Sequence, residues 1–222
     1  MKREVVETGD GSKTIRIIDL EESYHSTHGA LQEAIHVFIE NGLKHTHLKQ
    51  LNIFEMGFGS GLNAFLTAVN SKDLNIKTFY HGIEAYPVNS DEINALDYEN
   101  LLDGEHFNLY RQIQESEWEG SAYINEFFSV KKTNSKIELI DLENEFYDII
   151  YFDAFGPRAQ IEMWSVEIFA KMFKCLKAGG FLVTYCANGQ VKRNMKEVGF
   201  TIERLAGPPG KREMTRATKP II

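Results

Sequence analysis

The stretch Leu51-Asn52-Ile53-Phe54-Glu55-Met56 runs straight into Gly57-Phe58-Gly59-Ser60-Gly61 and then into Leu62-Asn63-Ala64-Phe65-Leu66. An apolar, β-prone run that breaks into alternate glycines and resumes as a helical pattern predicts a strand, a tight turn and a helix. Glycines permit positive φ and let a ligand approach the backbone with no Cβ in the way. Dinucleotide sites space their glycines G-x-G-x-x-G and rest a pyrophosphate on the helix N-terminus. Here the spacing is G-x-G-x-G with an acid, Glu55, two residues before the first glycine. A carboxylate repels pyrophosphate and favours a cationic ligand. A bare glycine-rich turn with no ligand is the competing reading.

The remainder of the chain suits such a unit. The segment VVET-GDGS-KTIRII predicts an N-terminal hairpin, and Leu31, Ile35, Phe38 and Ile39 recur at helical spacing up to Asn41-Gly42. After Leu51 strands and helices alternate. They are strand KTFYHGIEA, a helix from Asn89-Ser90 through YENL, strand FYDIIYFDAF, helix MWSVEIFAKMFKCL, strand AGGFLVTYCA and basic helix QVKRNMKEV. GFTIERL and MTRATKPII close the chain as two strands around the loop AGPPGKRE. Residues 103–145 hold two aromatic-rich pieces without a clear order. Alternation implies βαβ crossovers and a mostly parallel sheet, with the last two strands as an antiparallel hairpin. The expectation is a single α/β, Rossmann-like domain over 1–222: an extension over 1–48 and a core over 49–222.

Composition narrows the function classes. The 222 residues carry 24 Lys+Arg against 32 Asp+Glu, a net charge of −8. That balance argues against a general nucleic-acid binder, but it is uneven. Lys192, Arg193, Lys196, Arg204, Lys211, Arg212, Arg216 and Lys219 face only Glu197, Glu203 and Glu213, so the C-terminal part is basic. A local basic rim suffices for phosphate contacts. No apolar run approaches the ~18–20 residues of a membrane span and no signal-peptide core is present, so a cytoplasmic protein is expected. Cys175 and Cys186 are the only cysteines, too few for a disulfide framework or zinc cluster. His25 and His28 with Glu33 lack a third ligand at recognisable spacing, so no metal is expected.

Two further motifs carry chemistry. Glu84 ends the second core strand, where a carboxylate can accept both hydroxyls of a ribose. Asp153-Ala154-Phe155-Gly156-Pro157 ends the strand expected beside the first, which aims Asp153 at the reacting centre. The first motif resembles that of class I S-adenosylmethionine-dependent methyltransferases, whose cofactor carries an ammonium and a sulfonium and no phosphate. The Asp-Ala-Phe turn is comparable in logic to the Asn/Asp-Pro-Pro-aromatic turn of amino-group methyltransferases, where a carboxylate or amide and a backbone carbonyl accept from the target nitrogen. An aliphatic amine with a pKa near the lysine value of ~10.4 is only about 0.1% neutral at pH 7, so its proton must be removed or the neutral form selected.

Taken together the motifs resemble one family closely, the methyltransferases that complete 5-methylaminomethyl-2-thiouridine at the tRNA wobble position. The residues that carry this are Tyr24-His25-Ser26 with His28-Gly29-Ala30-Leu31-Gln32-Glu33; Phe58-Gly59-Ser60-Gly61-Leu62-Asn63; Asp153-Ala154-Phe155 with Pro157 and Met163-Trp164; and Gly207-Pro208-Pro209-Gly210-Lys211-Arg212-Glu213-Met214. Arg158-Ala159-Gln160-Ile161 departs from the Lys-Asn-Pro or Lys-Gln-Pro of many members. The family's adenine-holding Gly-Asp pair has only Glu138 and Asp141 as candidates.

The resemblance implies S-adenosyl-L-methionine bound by Gly57, Gly59, Gly61 and Glu84, with Glu55 in support. It implies an acceptor held by Asp153 and Phe155, with Tyr24, Ser26 and Pro157 lining its pocket, and tRNA phosphates met by Arg193, Lys211 and Arg212. Larger members carry a flavin oxidase after this part. The chain stops at Ile222, so the expectation is a form without that half and a separate flavin oxidase in the same pathway. Oligomeric state is left open. A same-fold enzyme acting on a small-molecule or protein amine, and a cofactor-binding module without catalysis, are the alternatives.

Overall fold

The computed structural model describes residues 2–221. An N-terminal three-stranded antiparallel sheet is built from β1 (Arg3–Glu7), β2 (Lys13–Ile17) and β3 (Glu22–Ser23). Helix α1 (Ala30–Ala34) continues as a π-helical stretch, Ile35–Glu40. The core follows as β4 (Gln50–Met56), α2 (Leu62–Asp73), β5 (Lys77–Glu84), α3 (Ser90–Ala95), α4 (Tyr98–Leu101), α5 (Gly104–Glu115), β6 (Ser121–Asn125) and β7 (Phe128–Asn134). Then come β8 (Tyr147–Phe152), α6 (Val166–Cys175), β9 (Leu176–Thr184), α7 (Gly189–Glu197), β10 (Thr201–Ala206) and β11 (Glu213–Thr218).

Eight strands form one sheet in the order β10-β11-β9-β8-β4-β5-β7-β6. The strands β7, β5, β4, β8 and β9 run parallel, while β6, at one edge, and β11, between β9 and β10, are antiparallel to their partners. This is the mostly parallel α/β sheet with a C-terminal antiparallel hairpin that the alternation predicted. All six residues of β8 are buried, because side chains alternate between two covered faces. Ile149 and Tyr151 join the cluster under α1, α2 and α5, and Ile150 and Phe152 join the one under α6 and α7. The chain leaves β4 for β5 on one side and reaches β8 on the other. The sheet therefore reverses direction of growth at β4, and a cleft opens there beyond the strand ends.

Two local features differ from the sequence expectation. The helix expected from Asn89 to Leu101 is broken: a capping box between Asn89 and Glu92 starts α3, and Asp97 at φ 59° interrupts the path before α4. The unordered region resolves into α5, capped by Asp103, and the β6–β7 hairpin that completes the sheet. Among the described residues no helix is long and apolar enough to cross a membrane.

His81 sits inside the sheet, its Nδ1 2.6 Å from the Tyr147 hydroxyl and Nε2 3.0 Å from Thr133 Oγ1. Burial, helped by the Lys131 charge, pushes its imidazole down to about 4. An unfolded-chain histidine titrates near ~6.5, so between these values the unfolded state binds a proton that the folded state refuses. Stability contributed by neutral His81 is therefore present above that window and lost as pH falls through it. Between pH ~7 and ~5 the loss is about 2 kcal/mol. Urea unfolding of the parent and of His81→Gln should show their stability gap narrowing by that amount; parallel pH curves would refute the assignment.

Candidate active site

The glycine turn is built by the strands beneath it. Gly57 has φ 92°, and a Cβ there would lie 2.6 Å from the Asp153 carbonyl oxygen, so the ends of β4 and β8 approach only because the side chain is missing. Gly59 has φ 52°, and a Cβ would meet the Tyr24 ring at 2.7 Å. The Gly57 and Phe58 amides donate to Ile83 O at 3.1 and 2.9 Å, and Asp153 N donates to Met56 O at 2.9 Å. Helix α5 fixes the turn from outside, since Tyr110 Oη and Gln114 Nε2 donate to Ser60 O at 2.9 and 2.7 Å.

Glu84 is positioned before any ligand arrives. Its Oε2 accepts from Gly59 N and its Oε1 from Tyr86 N, each at 3.0 Å. Gly57, Gly59, Met56, Ile83 and Glu84 line one cavity, whose far wall is the Ser135–Glu138 segment beyond β7. A second cavity lies under the N-terminal sheet and includes Ser26, Glu33, Tyr185 and Lys211. The two meet at Tyr24, His25, Asp153, Ala154 and Phe155.

That shared wall is rigid. Tyr24 and Phe155 pack edge to face with centroids 5.3 Å apart. The Ala154 carbonyl accepts from Tyr185 Oη and the Phe155 carbonyl from Trp164 Nε1, both at 2.8 Å. The Ala154 and Phe155 carbonyls are thus each engaged by a side chain, and the Asp153 carboxylate faces both cavities from between them. Its Oδ2 accepts from Asn63 Nδ2 at 2.9 Å. Burial and the Glu33 charge push the carboxyl up to about 7, against the Asn63 hydrogen bond and the Lys211 charge. His25 stays neutral, since burial drives its imidazole down to about 4, and its Nε2 lies 3.1 Å from Ser60 Oγ.

The residues singled out in the sequence separate into groups. Gly57, Gly59, Glu84, Tyr24, Asp153 and Phe155 converge on the first cavity. Ser26 and Lys211 lie on the second, where Lys211 Nζ is 2.6 Å from Glu33 Oε2 and 3.8 Å from the Tyr185 ring centre. Glu55 is fully buried below the cavity, where burial holds its carboxyl well above the usual range. Gly61 caps α2 at φ 70°. Pro157, Arg193 and Arg212 line neither cavity, and Arg193 and Arg212 are exposed. Glu138 reaches the first cavity, whereas Asp141 does not. Sequence reasoning gave no role to Asn63 or Tyr185, and weighed His25 and Glu33 only as metal ligands before setting them aside.

A family model described as S-adenosyl-L-methionine-dependent methyltransferase matches residues 109–220, half of the chain. The chain belongs to this family of methyltransferases. Relatives of the methyltransferase include the tRNA 5-methylaminomethyl-2-thiouridine biosynthesis bifunctional protein MnmC of Cupriavidus necator. It is 32% identical over 209 residues, covering 88% of this chain and 31% of that protein. The protein of the same name from Campylobacter fetus is 27% identical over 221 residues, covering 95% and 34%. The methyltransferase thus spans about a third of the length of the curated relatives it matches. The crystal structure of MNMC2 from Aquifex aeolicus superposes with a TM-score of 0.75 at 22% identity, covering 100% of this chain and 73% of that one. At that identity the likeness concerns the fold.

The residues present suit the methyltransferase's cofactor. An acid preset on two backbone amides can take a ribose diol, Gly57 and Gly59 line the cavity beside it, and among the described residues Lys136 is the one Lys or Arg on its wall.

Proposed function

We propose that the enzyme N-methylates the aminomethyl group of 5-aminomethyl-(2-thio)uridine at the tRNA wobble position. The observation that carries this reading is the half-engaged Asp153 carboxylate, standing where a cofactor-sized cavity meets an acidic, aromatic one. Glu7, Glu21, Glu22 and Glu33 join Asp153 on the second cavity against Arg16 and Lys211, a net acidic environment for a cationic amine, and Tyr24, Phe155 and Tyr185 offer faces for a planar ring. The relatives' printed name supports the choice of nucleoside.

S-adenosyl-L-methionine, when bound, supplies a methyl group already activated on a sulfonium. The chain's own residues then align the amine and manage its proton, and alignment alone can contribute roughly 7–11 kcal/mol. Asp153 accepts the proton of the incoming ammonium, freeing the nitrogen lone pair. Tyr24 and Phe155 would hold the ring, and neutral His25 would add no positive charge to a cavity that takes a cationic cofactor. Glu84 would take the ribose hydroxyls and the Ser135–Glu138 segment would flank the adenine. The methyl transfer itself requires no oxidase.

Half of the C-terminal basic residues are committed within the fold. Lys192 pairs with Glu213, Lys211 with Glu33, Arg216 with Glu203 and Lys219 with Glu145. Arg193 and Arg212, together with Arg158 beside the Asp-Ala-Phe turn, have no carboxylate partner among the described residues. All three flank the same end of the sheet. Incubation with tRNA lacking the final methyl plus labelled cofactor, followed by nucleoside mass spectrometry, should place label on the wobble nucleoside. The triple Arg→Ala variant should weaken tRNA binding by about 10–100-fold and lower the salt slope by roughly one per lost phosphate contact. Label on free amines alone would favour the small-molecule reading, and no turnover despite cofactor binding would favour the module.

A further inference from the structure

Asn63 opens α2 immediately after the glycine turn and is 2% exposed. Its Nδ2 carries two hydrogens, and each goes to a different carboxylate: Glu55 Oε1 at 2.8 Å and Asp153 Oδ2 at 2.9 Å. Three elements are joined by this one amide, namely β4, α2 and the end of β8. Among the described residues no other side chain donates to Asp153, while the buried Tyr80 hydroxyl is the other group directed at Glu55. Glu55 Oε2 and Asn63 Oδ1 are buried without partners, whereas Asp153 Oδ1 has no hydrogen bond and is not sealed off.

We propose that Asn63 is the positioning residue of the acceptor site: its amide, anchored on Glu55, fixes one oxygen of Asp153 so that the other alone meets the acceptor amine. The inference rests on Asp153 being the group that meets that amine. The chemistry accounts for the residue type. An amide can donate two hydrogens at once and brings no charge. An aspartate at this position would assemble three carboxylates, and a leucine would leave Asp153 without a donor. Glu55, whose carboxyl burial pushes well above the usual range, serves as the fixed rear anchor, and Asp153 is the acid that reaches the junction. The first glycine motif is thereby coupled to the acceptor turn by a single side chain. The acid of that motif acts on the acceptor through Asn63 and lines no cavity itself.

Titration of Asp153 provides the test. The groups that face it are Glu55 from β4, Tyr80 from β5, Glu33 from α1, Tyr185 beyond β9, Lys211 from the β10–β11 loop and His25 from the N-terminal segment. In protein labelled with ¹³C-carboxyl aspartate and ¹⁵N-asparagine, with Asp153→Asn and Asn63→Leu for assignment, the Asn63 side-chain amide should shift with the midpoint of the Asp153 carboxyl. Asn63→Leu should raise that midpoint by about one unit, the value of one hydrogen bond to a charged group. It should also lower kcat about 10–100-fold with cofactor affinity retained, as for a misplaced catalytic group. An Asn63 amide signal that stays flat through the Asp153 titration would overturn the proposal. So would an unchanged midpoint in an Asn63→Leu protein that still binds cofactor. The first measurement needs no variant to fold beyond assignment, and neither depends on which acceptor is methylated. A tRNA that takes no label while the titrations behave as expected therefore counts against the substrate and not against Asn63.

Discussion

Asp153→Asn should reduce turnover by about 10²–10⁴-fold, the usual range for removing a positioned general base, while cofactor affinity stays within about threefold. The substitution is nearly isosteric, and the new amide oxygen can still accept from Asn63, so the turn between Met56 O and Phe155 O should keep its shape. What is lost is the ability to take a proton. The pH dependence separates this from a packing defect. With its carboxyl raised to about 7, Asp153 is protonated at lower pH and cannot accept the ammonium proton. The active complex holds one proton shared between Asp153 and the amine. The parent rate should therefore rise about tenfold per unit up to pH ~7 and then level off until the amine loses its own proton near ~10. Asp153→Asn should lack the inflection near 7. A variant with more than about a third of parental kcat, or one that keeps that inflection, would remove Asp153 from the chemistry.

Gly57→Ala should abolish measurable cofactor binding and destabilise the fold by about 2–4 kcal/mol. The alanine methyl would sit 2.6 Å from a backbone oxygen, that of Asp153, and a backbone atom cannot rotate away as a side chain can. At φ 92° an L-residue is strained in any case. Relief requires the ends of β4 and β8 to part, which separates the glycine turn from the Asp-Ala-Phe turn that they place side by side. Gly104, in the first turn of α5, is the control: nothing lies within 4 Å of a Cβ there, so Gly104→Ala should be neutral or slightly stabilising. Urea unfolding and calorimetric titration with the cofactor would measure both variants. Parent-like affinity in Gly57→Ala would show that the two turns do not need their present spacing.

The sequence disclosed the parts of this molecule that follow from local pattern. YDIIYF reads as a doubly covered strand because it has no polar face, and the glycine turn shows as strand, break and helix. The region 103–145 was opaque for an equally local reason. Helix α5 buries only Tyr110 and Ile113, and β6 is an edge strand whose Tyr123 is 76% exposed, so neither carries a strong apolar period. The break at Asp97 is a single left-handed residue, which leaves no periodic trace. In the site, residue types were legible and their directions were not. Glu55 was read as facing a ligand, yet strand alternation turns it toward α2, where Asn63 receives it. Lys211 was read as a phosphate contact, yet it pairs with Glu33, 178 positions earlier, a distance in sequence that no motif spans.

The wall that Tyr24, His25, Asp153, Ala154 and Phe155 form between the cavities has a thermodynamic meaning. The same five side chains and backbone segments face both cavities, so a molecule seated in one bears on the surface that the other presents. Binding on the two sides should therefore be coupled, and a substitution at Tyr24 or Phe155 should change the affinities of both ligands together.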